Sequence, residues 1–307
     1  MTVFNERIAA YAKINLFLKV LGKRQDGYHL LSTLMQSVSI CDYITVECSD
    51  RALQDGLEPG ISITADAAHV PGDARNTAYK AARAFLNLLG RQNVSVKIHI
   101  QKGIPIQAGM AGGSTDAAAV LNALACAFPA AANTDVLLSM AARIGADVPF
   151  CMAGGTQLCE GIGDILTPVP SLCGLPLLFI KPKCSISTPW AFSVFDSLDL
   201  ANKDCPEANA AIQRLLVPRP GTDPIQRITD AAPFLCNDLE YVADREYPIL
   251  SEIRAFLMDQ GAVAARMSGS GSTVFGIFSD KKTRDTALEH AGVYQTMGYF
   301  VKAGETV

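Results

Sequence analysis

The chain has 307 residues, 49% of them hydrophobic and 18% charged, and its formal net charge is −4. This composition describes an ordinary globular protein and excludes a disordered one, and the length is enough for two packed domains. The negative charge gives no reason to expect a general attraction to nucleic acid or to an anionic membrane surface, although local basic pockets stay open.

The first predicted strand is YAKINLFLKV (11–20), in which apolar side chains at the even positions from 14 alternate with Lys13, Asn15 and other odd-numbered residues. The alternation predicts a half-buried strand that carries Lys13 and Asn15 side by side on one face. A turn at 25–27 leads through Tyr28 and His29 into a second apolar stretch, which predicts an antiparallel hairpin. Further strands are predicted at 43–47 and 61–64.

The middle of the chain begins with a helix from Asn76 to Gly90, with Asn76 as its N-cap. The alternating strand NVSVKIHI (93–100) follows and leads into the glycine-rich segment PIQAGMAGGSTDAAAV (105–120). The next helix is stopped by Pro129, and a further helix, 134–144, ends at GADVPF (145–150).

The C-terminal half has a predicted strand at 175–181, a helix whose N-cap is Thr188, and a polar linker at 206–224. Two helices, 249–260 and 282–291, flank RMSGSGSTVFGIF (266–278), where a glycine-rich turn meets a strand. Strands come in clusters rather than alternating strictly with helices, which predicts an α+β fold with mixed or antiparallel sheets.

Cysteines and histidines form no metal-binding pattern. The nine cysteines include no C-x-x-C pair and no Cys/His cluster at zinc spacing, so we expect reduced, mostly buried thiols in a cytoplasmic protein. The four histidines are too scattered to predict a metal site, and metal ligands stay unassigned.

No signal peptide is visible, and the apolar stretch 172–180 is too short to span a bilayer.

The glycine-rich segment follows a strand and opens a helix, an order that makes an anion site. Glycines let backbone N–H groups converge, and a helix N-terminus adds partial positive charge. Ser114 and Thr115 stand where hydroxyls can cap the helix or touch a phosphate or its metal. The alternative is a tight turn with Gly112 and Gly113 as packing residues. Neither a Walker A loop nor a G-x-G-x-x-G fingerprint fits the segment.

The segment resembles the second motif of the GHMP kinases, in which a proline precedes a glycine-and-serine loop that opens a helix. AKINLFL (12–18) resembles the first motif of that family, and RMSGSGSTVFGIF resembles the third. GADVPF and DGYH (26–29) together resemble the branch called 4-diphosphocytidyl-2-C-methyl-D-erythritol kinase, of the non-mevalonate isoprenoid pathway. The resemblance runs from about residue 10 to about residue 280.

The resemblance implies a two-domain fold, with an N-terminal domain at 1–165, a C-terminal domain at 166–307 and a cleft between them. It implies ATP as phosphate donor, Mg²⁺ as the nucleotide counter-ion, and phosphorylation of the 2-hydroxyl of 4-diphosphocytidyl-2-C-methyl-D-erythritol. The expected partner is a small molecule, with no nucleic acid or membrane, and the expected state is a monomer or homodimer. The residues implied for ATP binding are Pro105, Ile106, Gln107, Ala108, Gly109, Met110, Ala111, Gly112, Gly113, Ser114 and Thr115.

Two features of the segment depart from the family. Gln107-Ala108 and Met110-Ala111 replace glycines or a leucine common in relatives, and Asp116 stands where a second serine is frequent. The replacements are mostly small, so nucleotide binding is still expected. The sequence leaves open whether Asp116 contributes to a metal.

Phosphoryl transfer to an alcohol needs a group that accepts the hydroxyl proton and a cation that offsets the developing charge. By motif, the resemblance implies these roles for Asp147 and Lys13. The alternatives are a turn or N-cap aspartate before Pro149 and a solvated strand lysine.

Substrate contacts are also implied by the resemblance. Tyr28 and His29 are expected to stack on and hydrogen-bond a pyrimidine, and Asn15 to hold the acceptor hydroxyl. Thr188 and Phe192 are further candidates, and core packing is the alternative for Phe192. Two other functions stay open: a GHMP-family enzyme for another substrate, such as homoserine or mevalonate, and a non-catalytic nucleotide-binding protein.

Overall fold

A computed structural model describes residues 3–50, 60–90, 94–198, 213, 215–217 and 221–307. The chain divides into two units whose segments interleave. The first unit is Met1–Ala12, Ile40–Ile104 and Ala111–Ala153, and the second is Lys13–Ser39, Pro105–Met110 and Gly154–Val307. The boundary predicted at residue 165 stays a prediction.

Two long strands run through both units. They are β1 (Val3–Lys23) and β2 (His29–Asp50), which pair with each other across the turn at 25–27 and confirm the predicted hairpin. The prediction of a half-buried β1 is wrong. Both of its faces are covered from Ala12 to Leu18, and Lys13, Asn15 and Phe17 are each at most 4% exposed.

In the first unit, the second half of β2 pairs antiparallel with β4 (Val94–Gln101), which pairs parallel with β3 (Ile61–Ala65). The helices are α1 (Thr77–Leu89), α2 (Gly112–Ala127), α3 (Thr134–Ile144) and α4 (Val148–Ala153). A short 3₁₀ turn, Pro129–Ala131, follows α2 and confirms the predicted stop.

The ends of α1 follow from its sequence. The Asn76 side chain accepts a hydrogen bond from the Ala78 N–H, and Gly90 ends the helix in the left-handed conformation, with φ of 61°. Both predicted ends of this helix are confirmed.

Helix α2 is buried over most of its surface. Every residue from Thr115 to Leu121 is buried, and so are Ala123 and Leu124. Its many alanines fill little space, so α1 and other elements of the unit approach it closely.

In the second unit, an antiparallel sheet has the strand order β10–β7–β9–β8. Its strands are β7 (Pro176–Lys181), β8 (Ala264–Met267), β9 (Val274–Ile277) and β10 (Phe300–Glu305). The first half of β2 pairs antiparallel with β5 (Thr156–Glu160), which pairs with β6 (Ile165–Pro168).

The helices of the second unit pack on this framework with a core of their own. They are α5 (Thr188–Ser197), α6 (Pro224–Ala231), α7 (Glu240–Glu246), α8 (Ile249–Asp259), α9 (Lys281–His290) and α10 (Gly292–Thr296), with a 3₁₀ turn at Ala232–Phe234. The α+β prediction, with mixed and antiparallel sheets, is confirmed.

Three other predictions concern the whole chain. Most of the linker predicted at 206–224 lies outside the described residues. All eight cysteines in the described part of the chain are free, but only Cys48 and Cys159 are buried, so the expectation of mostly buried thiols is wrong. Among the described helices, none has both the length and the apolar character that crossing a bilayer requires.

Candidate active site

The segment Pro105–Thr115, called the glycine loop below, has a backbone whose handedness alternates. Gln107, Gly109 and Ala111 have φ values of 47°, 71° and 60°, whereas φ is not positive at the two residues between them. Such alternation turns successive N–H groups toward one point and forms a concave anion site. Two of the three left-handed positions lack glycine, which costs about 1–2 kcal/mol each.

Gly109 is required by space as well as by φ. A Cβ at this position would fall far inside van der Waals distance of the Ser268 carbonyl oxygen. The Ser268 hydroxyl donates to the Gly109 carbonyl at 2.9 Å, and the Thr273 N–H donates to the Ala108 carbonyl at 3.2 Å. The turn 268–273, which belongs to the segment that resembles the third motif, therefore supports this half of the glycine loop.

The turn 268–273 is itself held by Asn237. The amide nitrogen of Asn237 donates to the carbonyl oxygens of Met267 and Gly269, at 2.8 and 2.7 Å. Asn237 lies outside every motif, so this role could not be predicted from the sequence.

The glycine loop ends at the first turn of α2, where the predicted side-chain cap is absent. Ala111 occupies the N-cap position, and Thr115 lies inside the helix with its hydroxyl donating to the carbonyls of Ala111 and Gly112. A Cβ on Gly112 would lie 3.3 Å from Ile104 Cγ2, and one on Gly113 would lie 3.1 Å from Thr77 Oγ1. Both glycines are therefore also packing residues.

A buried ion cluster ties the strand before the glycine loop to the helix after it. The Lys102 ammonium contacts the Asp42 carboxylate and lies 3.1 Å from Asp116 Oδ2. Asp42 also accepts from the N–H groups of Gly103 and Ile104, at 2.6 and 2.8 Å. These bonds fix the spacing between the end of β4 and the start of α2.

Asp116 has fewer hydrogen-bond partners than Asp42 in this cluster. Its Oδ1 is buried and has no hydrogen-bond partner within the described part of the chain. Desolvation raises the pKa of the Asp116 carboxyl to about 8, although the Lys102 ammonium acts in the opposite direction. The Lys102 ammonium is the cation that contacts this carboxyl group among the described residues, and a metal at Asp116 stays an open question.

Lys13 is only 4% exposed, so it is not a solvated strand lysine. Its Nζ donates to Asn15 Oδ1 at 2.6 Å, and Asn15 Nδ2 donates to the hydroxyl of Thr33 at 2.8 Å. The backbone N–H of Lys13 donates to the Met110 carbonyl at 3.2 Å, which places the glycine loop beside this strand. The predicted pair Lys13 and Asn15 is thus brought together.

Asp147 lies in the turn that opens α4, immediately before Val148. Its carbonyl accepts a hydrogen bond from the Cys151 N–H at 3.0 Å. This position agrees with the alternative interpretation, in which Asp147 is a structural aspartate of the turn before Pro149. The carboxylate is half-buried, and such a group could equally accept a proton from a bound hydroxyl. The catalytic roles of Lys13 and Asp147 stay predictions.

Tyr28, His29, Phe192 and Asp196 form a second candidate region, called the His29 corner below. The ring of His29 stacks on Phe192, with centroids 4.4 Å apart and planes 17° from parallel. Its Nε2 lies 2.7 Å from Asp196 Oδ1, and Asp196 Oδ2 accepts from Lys23 Nζ at 2.7 Å. The Tyr28 side chain is 59% exposed beside them.

Thr188 lies one position further into α5 than predicted. Ser187 is the N-cap residue and Thr188 is the first helical residue. The Thr188 hydroxyl is 2.7 Å from the Ser270 hydroxyl, so it bonds to the glycine-rich turn rather than to its own helix. Within the described residues, no group of three or more His, Cys, Asp or Glu side chains forms a metal site.

Two family profiles match the chain. Residues 76–155 match the GHMP kinases N terminal domain, and residues 225–292 match the GHMP kinases C terminal domain. The first range contains the glycine loop and Asp147, and the second contains Asn237 and the turn 268–273.

Relatives cover nearly the whole chain. A 4-diphosphocytidyl-2-C-methyl-D-erythritol kinase of Caldicellulosiruptor saccharolyticus is 42% identical over 94% of this chain and 93% of its own. The same kinase of Clostridium perfringens is 41% identical over 92% of each chain. A crystal structure of a 4-(cytidine 5'-diphospho)-2C-methyl-D-erythritol kinase superposes with a TM-score of 0.76 at 30% identity, covering 98% of this chain and 99% of its own. A homoserine kinase from Cytophaga hutchinsonii shares the fold, with a TM-score of 0.74 at 18% identity, covering 99% of this chain and 95% of its own.

Proposed function

The chain belongs to the GHMP kinase family, and we propose that it transfers the γ-phosphoryl group of ATP to the 2-hydroxyl of 4-diphosphocytidyl-2-C-methyl-D-erythritol. This reaction is a step of the non-mevalonate pathway to isoprenoid precursors. The observation that carries the proposal is identity of about 40%, over more than nine-tenths of the chain, to kinases of that name.

The glycine loop is suited to the ATP phosphates. Its alternating backbone and the start of α2 offer N–H groups and partial positive charge, and its glycines keep side chains away from the anion. We propose that Pro105–Thr115 contact these phosphates. Mg²⁺, coordinated largely by phosphate oxygens and water, would supply further neutralising charge.

We propose that Asp147 accepts the proton of the substrate hydroxyl and that Lys13 offsets charge on the transferring phosphoryl group. The bonds from Lys13 to Asn15 and from Asn15 to Thr33 hold the ammonium in one position, so little reorganisation is needed during reaction. Tyr28, His29, Thr188 and Phe192 are proposed to bind the cytidylyl substrate. A cytoplasmic location is part of the same proposal.

The two alternatives receive less support. Four homoserine or mevalonate kinases that share the fold are 12 to 20% identical to this chain, so they inform the architecture alone. A non-catalytic binding protein has no need for a buried lysine held in a chain of hydrogen bonds, since burying a charged group is costly unless it is paired.

The direct test is release of ADP by the purified chain, measured with a coupled assay over a panel of alcohols. We expect turnover with the cytidylylated alcohol and at most trace turnover with homoserine or mevalonate. Turnover of homoserine or mevalonate in place of the cytidylylated alcohol would assign the chain to another branch. ATP binding without turnover of any alcohol would support the non-catalytic alternative.

A further inference from the structure

The His29 corner contains the carboxylate of Asp196, a residue that lies outside every motif of the sequence analysis. Asp196, on the last turns of α5, approaches His29 Nε2 at 2.7 Å from a position 167 residues further along the chain. Its other oxygen accepts from Lys23 Nζ at 2.7 Å. Counting the described residues, each carboxylate oxygen thus has one partner. Lys23 ends β1 and His29 begins β2, on either side of the turn that joins the two strands.

The Asp196 carboxylate determines where the His29 ring carries hydrogen. Partial burial acts to raise the pKa of Asp196, but hydrogen bonds from Lys23 and His29 outweigh it and hold that pKa below its ordinary value. The group is therefore ionised at neutral pH, and an ionised carboxylate only accepts hydrogen bonds. The contact at 2.7 Å consequently requires a hydrogen on His29 Nε2.

The orientation of the His29 ring is also fixed. Its side chain is 8% exposed, and Phe192 covers one of its faces. Among the described residues, the contact with Asp196 is the one hydrogen bond that the ring makes. The second ring nitrogen, Nδ1, is left for a ligand.

We propose that Asp196 is a specificity-determining positioning residue, which keeps the hydrogen of the His29 ring on Nε2 and leaves Nδ1 as an acceptor for the amino group of a cytosine base. The proposal rests on the proposed function, because it presupposes a cytidylylated substrate. Cytosine presents an amino donor at ring position 4, where uracil presents a carbonyl acceptor. An Nδ1 lone pair attracts the first and repels the second. Which nitrogen of a histidine is protonated is set by the hydrogen bond that the other makes.

The variant Asp196→Asn is informative, because the contact with Lys23 determines which way the amide of the new asparagine is oriented. The Lys23 ammonium favours the amide oxygen, so the NH₂ group faces His29 Nε2. The ring then takes its hydrogen on Nδ1, which becomes a donor. We expect the preference for cytidylylated over uridylylated alcohol, as the ratio of kcat/KM, to fall about 10-fold or more, while KM for ATP changes less than about 2-fold.

The matched control is Lys23→Gln, which removes the second partner of Asp196 but leaves its contact with His29. This variant should retain the cytosine preference. Nitrogen-15 NMR of the imidazole groups reports the tautomer independently of turnover, and His29→Ala assigns the His29 signal among the four histidines. We expect hydrogen on Nε2 in the unmodified chain and in Lys23→Gln, and on Nδ1 in Asp196→Asn.

An Asp196→Asn protein that binds ATP normally and keeps the full cytosine preference would overturn the proposal, since other groups would then recognise the base. An unchanged His29 tautomer in that variant would overturn it as well. If the unmodified chain turned over neither nucleotide-linked alcohol, the proposed function would fail, and with it the recognition of cytosine. The NMR result would still decide whether Asp196 controls the ring.

Discussion

The glycine loop and the His29 corner differ in what they present to a ligand. The loop presents backbone N–H groups from consecutive residues, shaped by φ at Gln107, Gly109 and Ala111. The corner presents side chains from two distant segments, held by a stack and by hydrogen bonds to Asp196. The first arrangement is sensitive to any added Cβ, and the second to the position of a single hydrogen.

The substitution that should reduce turnover most is at Asp147, which belongs to neither region. Asp147→Asn is nearly isosteric, so both regions should keep their ligands while kcat falls by about 10²–10⁴-fold through loss of the general base. Steady-state kinetics with both substrates measures this separation. Asp164→Asn is the control, because Asp164 caps a turn through the Ile162 N–H and should cost far less. A near-normal kcat in a folded Asp147→Asn protein would contradict the assigned role.

The substitution Gly112→Val tests whether the glycine loop binds the ATP phosphates. A branched side chain has no room beside Ile104 Cγ2 at 3.3 Å and Lys102 Nζ at 3.4 Å, so the start of α2 must shift. We expect the Kd for ATP to rise about 10-fold or more, on the scale of overpacking. Binding of the cytidylylated alcohol should change little and serves as the control for folding. Unchanged ATP affinity would exclude the loop as the phosphate site.

The substitution His29→Ala tests whether the His29 corner binds the cytidylylated alcohol. Removing the ring deletes a hydrogen-bonding group and the surface stacked on Phe192, so KM for the cytidylylated alcohol should rise about 10-fold. KM for ATP should stay within about 2-fold, which is the mirror image of the Gly112→Val result. If both KM values rose together, the two regions would not be separate binding elements.

A further prediction concerns stability rather than ligand binding or turnover, at the cluster of Lys102, Asp42 and Asp116. The pKa of Asp116 is raised to about 8 by desolvation, so the folded chain keeps a proton that the unfolded chain loses above about pH 4. Asp116 therefore disfavours folding progressively between about pH 4 and pH 8. We expect Asp116→Asn to raise Tm by an amount that grows over this range and is constant above it. Thermal unfolding at a series of pH values measures it, and a difference independent of pH would contradict the protonated carboxyl.

The loop could be predicted from the sequence because its determinants are local. A strand, glycines and a helix start within one segment specify the turn and its N–H groups, and the resemblance to GHMP kinases rests on the same residues. The left-handed conformations of Gln107 and Ala111 could not be predicted, because side chains at such positions are disfavoured and supporting contacts must offset the cost.

The corner could be predicted only in part, because its determinants are distant in sequence. The DGYH motif indicated Tyr28 and His29, and Phe192 was a further candidate. No local sequence feature links His29 to Asp196. The same holds for Asn237, which supports the turn 268–273. The error about β1 has a related cause: alternation predicts one buried face, whereas the polar partners that let Lys13 and Asn15 be buried come from the packed fold.

Phosphorus-31 NMR of the reaction product distinguishes transfer to the 2-hydroxyl from transfer to any other hydroxyl of the substrate. Carbon 2 of the substrate carries a methyl group and no hydrogen, so a phosphate on its oxygen has no coupling to a hydrogen on the attached carbon. We predict one new phosphomonoester signal that is not split by such a hydrogen, with the diphosphate signals of the cytidylyl group retained. A phosphomonoester split by hydrogens of the attached carbon would show transfer to another hydroxyl and contradict the account, as would the absence of any new signal.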